Sequence, residues 1–170
     1  MAANASSGDG APMRDESVAT YLHGHLAGSQ SAEGLAHRML DADTDDDGKA
    51  FLGRFIDEIR EERTHIESVL GAVEGEEGLV RRGLDAATEL VGMAGALASR
   101  TSPGRFADYE ALAIGVWGKR LLWSALLKLA EVDERFAGLP LAPLSDQAER
   151  QEKELLRLRS ASILPSLTTS

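Results

Sequence analysis

Apolar residues recur at three- and four-residue steps through five successive stretches of this chain, and no stretch alternates singly as a half-buried strand would. Such spacing gathers apolar side chains into one stripe along a helix, and the stripe must be covered by another element. Helices are therefore expected at Ser17–Leu40, Gly48–Val73, Glu77–Ala98, Arg105–Val132 and Ser145–Ser160. Breakers separate them at Asp41–Asp47, Glu74–Glu76, Ser99–Gly104 and Ala137–Leu144. Pro103, Pro140 and Pro143 fall in these gaps, where a missing N–H costs no helical hydrogen bond. Ser145 is expected to cap the last helix. Residues 1–16, rich in Ala, Gly, Ser and Asp, are expected to form a disordered tail, 17–160 the helical domain and 161–170 a C-terminal tail. A chain of 170 residues buries about 70% of its surface on folding, enough for one domain with a full core.

Two of the stripes are interrupted once each. Leu52, Phe55, Ile59, Glu62, Ile66, Val69 and Val73 form one, with Glu62 its only charge. Tyr109, Leu112, Val116, Lys119, Trp123, Leu126 and Ala130 form the other, with Lys119 its only charge. A buried carboxylate is tolerated when it is paired and hydrogen-bonded, and costs several kcal/mol when it is not. The two interruptions have opposite sign, so Glu62 is expected to meet Lys119, or neighbouring Arg120, as an internal ion pair that fixes register. The first and third stretches carry small residues instead, Gly28, Ser29 and Ala32 in one, Gly83, Ala87 and Gly92 in the other. Small residues let helices approach closely or leave room between them. The fifth stretch is mostly charged and is expected to lie across the outside.

Charge and composition close off several functions. Eighteen basic against 28 acidic residues leave a formal charge of −10, which argues against nucleic acid and anionic membrane as partners. The chain has no cysteine, so disulfides, thiolate metal sites and cysteine nucleophiles are excluded. No apolar run is long enough to cross a bilayer, and Met1–Glu16 lacks the basic and apolar regions of a signal peptide. A cytoplasmic location is the expectation.

The same Glu62 opens a different reading. Glu62 and His65 sit at i, i+3, so one helix can offer an oxygen and a nitrogen to a single ion. If the first two helices turn back on each other near Asp45, His25 comes level with His65, and Glu33 with Glu58. A metal set of Glu62, His65 and His25, with Glu58 or Glu33 as a further oxygen ligand, is then the alternative to the ion pair. A second motif lies in the loop. Asp43, Asp45, Asp47 and Gly48 match the first, third, fifth and sixth positions of a calcium loop, but the twelfth is Arg54 instead of a bidentate glutamate. The competing reading is an acidic turn whose aspartates cap the second helix.

The helix lengths and the Glu62–His65 pattern resemble the ferritin-like superfamily, over roughly Ser17–Val132. The runs Tyr21–Ser29 and Gly115–Trp123 resemble more specifically an uncharacterised bacterial group of that shape. The resemblance implies an all-α, antiparallel four-helix bundle, here with an additional C-terminal helix. Di-iron members of the superfamily take a glutamate from each of two helices and a Glu-x-x-His from each of two others. Glu62 and His65 match one such pair; the second is missing, because Ala113 stands three places after Glu110 and the central inward position is Lys119. The short Glu74–Glu76 link also departs from the long crossover that ferritin uses between its second and third helices. The expected function is a non-catalytic structural or interaction protein with a Glu–Lys pair in place of a metal centre, self-associating and without a resident cofactor. The alternative is a metal-binding protein or oxidoreductase using iron or manganese at the partial site.

Overall fold

The computed structural model describes residues 15–42, 45–82 and 104–168, and these are all-helical, with four α-helices and no strand. They are α1 (Asp15–Asp41), α2 (Asp46–Arg82), α3 (Arg105–Ala130) and α4 (Leu141–Leu167), with a short 3-10 turn at Glu134–Phe136 before α4. Residues 83–98 of the third expected helix, and Asp43 of the loop, lie outside the described residues.

Each boundary has a local cause. Asp45 caps α2: the Gly48 N–H donates to its Oδ1 at 2.8 Å, and Asp46 and Asp47 place negative charge on the first turn, where the helix dipole favours it. The expected break at Glu74–Glu76 survives as one residue, Gly75, with φ 63° and ψ −176° inside α2. That left-handed φ suits a residue without Cβ. Gly104, at φ 134°, precedes α3 where the chain passes Ser166; a Cβ there would sit 2.6 Å from the serine Cβ.

Cross-helix contacts give the helix directions. Glu33 on α1 pairs with Arg60 and Arg63, and His23 with Glu74, so numbers rise on one helix as they fall on the other. Glu110 pairs with Arg159 and Arg120 with Glu149, which sets α3 and α4 in opposite directions too. Between α2 and α3 the numbers rise together, through Asp45–Arg105 and Glu62–Lys119. Arg135 ties the 3-10 turn back to the start of α1 by reaching Asp15 and Asp133, each at 2.7 Å.

The core corrects one expectation. Leu52, Phe55, Ile59, Glu62, Ile66, Val69 and Val73 of the α2 stripe are all buried, as are Tyr109, Leu112, Val116, Trp123 and Leu126 on α3. But the fifth stretch does not lie outside. α4 buries Leu141, Leu144, Ala148, Gln151, Leu155, Leu158 and Ser162, a full stripe of three- and four-residue steps. It was concealed because three of its members are small or polar. α4 also starts earlier and ends later than expected. Pro140, not Ser145, occupies its N-cap position, and residues 161–167, expected as tail, are helical. Pro143 sits in the first turn, where its missing N–H would be unpaired in any case.

Candidate functional site

The charged interruptions of α2 and α3 meet inside the protein. Lys119 Nζ donates to both oxygens of Glu62, at 2.9 and 2.7 Å, and to the Gln151 side-chain oxygen. An ammonium has three N–H donors, and all three are used. The Nζ also stands 5.6 Å from the centre of the Phe55 ring, within range of a cation–π contact. Glu62 is 3% exposed and collects two further donors from α4: Gln147 Nε2 at 2.9 Å and Gln151 Nε2 at 3.4 Å. Gln151, also 3% exposed, donates to Glu58 Oε2 at 2.6 Å. Three helices thus supply one hydrogen-bonded layer: Glu58 and Glu62 from α2, Lys119 from α3, Gln147 and Gln151 from α4.

Burial opposes both charges. It pushes the Glu62 carboxyl above its ordinary range, with the Lys119 charge pulling the other way. It pushes the Lys119 ammonium below its ordinary range, with Glu62 again opposing. The attraction therefore offsets desolvation only in part, the common situation for an ion pair removed from water.

The remaining expected residues go elsewhere. Arg120 turns away from Glu62 to Glu152 and, at 3.3 Å, to Glu149. Glu33 is held by Arg63 and by Arg60 at 2.7 Å, and Arg60 also donates to His37 Nε2 at 3.0 Å. His65 follows Glu62 by one turn, and its side chain makes no hydrogen bond to a described residue. His25 stands in the wall of a cavity, with its ring 4.7 Å from that of Tyr21 in an edge-on contact. Among the described residues, no group of three or more His, Asp or Glu is arranged to hold a metal ion. In the loop, Asp45 faces Arg105 at 3.4 Å and Asp47 faces Arg157 at 3.5 Å.

Comparison of the chain with protein-family models, with curated proteins and with solved structures finds no match. The site stands on its own geometry. Two of its members had no sequence signal strong enough to mark them. Gln147 and Gln151 are four apart and share one face of α4, but a neutral amide in a charged stretch looks like one more surface residue.

Beside the charge layer lies a cavity of about 230 Å³ between α1 and α3, floored by α2. Its walls are mainly apolar: Ala32, Phe55, Ile59, Ile66, Val116 and Leu122, with Glu62 and Lys119 at one side. Glycine lines both rims. A Cβ built at Gly28, Gly115 or Gly118 would meet nothing within 4 Å.

The histidine in this wall gives the fold a pH response. Burial holds the His25 imidazole below its ordinary value, so the folded protein resists a proton that the unfolded chain accepts. Stability is then fully present above about pH 6.5 and falls as pH drops below it. Glu33, held below its ordinary range chiefly by its hydrogen bond to Arg63, adds a second loss at lower pH, as its carboxylate protonates. Thermal melting between pH 8 and pH 5 should show a decline starting near pH 6.5 that His25→Phe removes. The same decline in that variant would assign the step to another group.

Proposed function

We propose that this chain is a non-catalytic helical-bundle protein of ferritin-like arrangement, acting by association, with a lysine-centred charge layer in the place where metal-bearing bundles of that shape hold their ions. The observation that carries this reading is the position of Lys119. Its ammonium lies between Glu62 and Gln151 with every donor engaged, so a cation is already built into the layer. A metal ion there would meet positive charge and would first have to displace the lysine.

The helix directions support the arrangement. α1 opposes α2, α3 opposes α4, and α2 runs with α3, the pattern in which a long connection joins the second and third core helices. Association is supported by the outer face of α3. Ile114, Trp117 and Leu121 lie at i, i+3 and i+7, and Trp117 is 55% exposed. Uncovered apolar stripes of this kind mark contact surfaces. A second copy is the occupant this reading names, since one helix face can meet itself across a two-fold axis.

Elemental analysis of protein purified without chelator or histidine tag, with light scattering on the same sample, tests the reading. No stoichiometric metal, no change in melting temperature on adding iron or manganese, and a mass above that of one chain are expected. A bound transition metal lost on His65→Ala would overturn the charge-layer reading in favour of a metalloprotein. A single-chain mass would remove the self-association.

A further inference from the structure

We propose that the cavity between α1 and α3 binds a neutral, mostly apolar molecule about two fused rings in size, carrying one hydrogen-bonding group that meets His25. The size follows from the volume. An engineered apolar cavity of roughly 150 Å³ takes up benzene, and the cavity here, at about 230 Å³, is about one and a half times as large. Its chemistry follows from what the walls leave unpaired. Lys119 is saturated by Glu62 and Gln151, and Arg63, also in the wall, is held by Glu33 and by Ser29 Oγ at 3.3 Å. A charged ligand would find no free counter-charge and would lose its water without compensation.

His25 is the exception. Among the described residues its ring nitrogens have no hydrogen-bond partner, and the ring makes an edge contact with that of Tyr21. A neutral imidazole offers one donor and one acceptor. A hydroxyl on the ligand satisfies either, and a ring N–H satisfies the acceptor nitrogen. Entry is from the glycine rims, where Gly28 and Gly115 are exposed and leave open space. The inference rests on the charge-layer reading, because a metal ion in the layer would add uncompensated charge to the cavity wall.

The experiment uses the full chain with 2-naphthol as probe, followed by calorimetry and by methyl resonances of Ile59, Ile66, Val116 and Leu122. One saturable site per chain is expected, with shifts at those methyls and affinity at least about tenfold above that for 2-naphthoate, the charged analogue. Gly28→Met should fill the cavity and lower 2-naphthol affinity by about tenfold or more; Gly118→Met, from the opposite rim, gives the same readout if the first variant fails to fold. His25→Phe should weaken 2-naphthol by about fivefold and leave naphthalene unchanged, the loss that one hydrogen bond is worth. Absence of methyl shifts at saturating probe, equal affinity for 2-naphthoate, or indifference to both glycine substitutions would overturn the site. Metal content of the same sample separates the two failures. Bound metal sinks the charge-layer reading, whereas no naphthol binding in metal-free protein sinks the cavity alone.

Discussion

Lys119→Met is expected to destabilise the fold by roughly 3–5 kcal/mol, the usual cost of stranding one member of a buried ion pair. The substitution leaves Glu62 buried with only the two glutamine amides as donors, and leaves the Gln151 oxygen without its ammonium. Glu62→Leu alone is costly for the mirror reason, since Lys119 then keeps a charge that burial already disfavours. The double variant should recover most of the loss, because both desolvation penalties disappear together and two apolar side chains fill a similar volume. A double-mutant cycle by urea denaturation should thus give a coupling larger than either single loss, roughly 5 kcal/mol or more. Additive losses would mean that the two charges do not depend on each other. Strong coupling with a double variant that stays unstable would point instead to the glutamines as the costly remainder.

Trp123→Ala is expected to cost a similar amount, roughly 3–5 kcal/mol, for an unrelated reason. The indole is fully buried on α3, and alanine would leave a large void in a core that relaxes only in part. Trp123→Phe should be far milder, under about 1.5 kcal/mol. The Trp123 Nε1 is buried with no hydrogen-bond partner among the described residues, and an unpaired buried donor costs about 1–3 kcal/mol. Phenylalanine loses volume but removes that donor, so the two changes oppose each other. Denaturation of the two variants side by side checks this; both remove the indole N–H, so equal losses would mean that the phenylalanine ring fills none of the void.

Much of the fold was legible in the chain. The α2 stripe from Leu52 to Val73 is buried position by position, and its one charge meets the one charge of the α3 stripe. Opposite lone charges on two apolar stripes are a strong signal because the alternative, two unpaired buried ions, is so costly. The sequence reading failed on α4. Its inward positions include Ala148, Gln151 and Ser162, and no hydropathy pattern distinguishes a buried glutamine from an exposed one. The metal set was also beyond reach of spacing alone. Glu62 and His65 share a helix side, but Glu33 is taken by two arginines and His25 faces a cavity.

What the sequence determined by itself was local: helix content, the breaks at Asp45 and Gly75, and the stripe that each of α2 and α3 turns inward. These depend on contacts within three or four residues, where backbone hydrogen bonding and apolar period act directly. Tertiary structure alone decided which stretches became neighbours. It brought Gln147 and Gln151 to Glu62 across 85 and 89 positions of chain, sent Arg120 outward, and left the glycines of α1 and α3 facing across a cavity. Such choices turn on how whole helices pack and which buried polar groups then find partners, and that balance is settled only when every helix is in place.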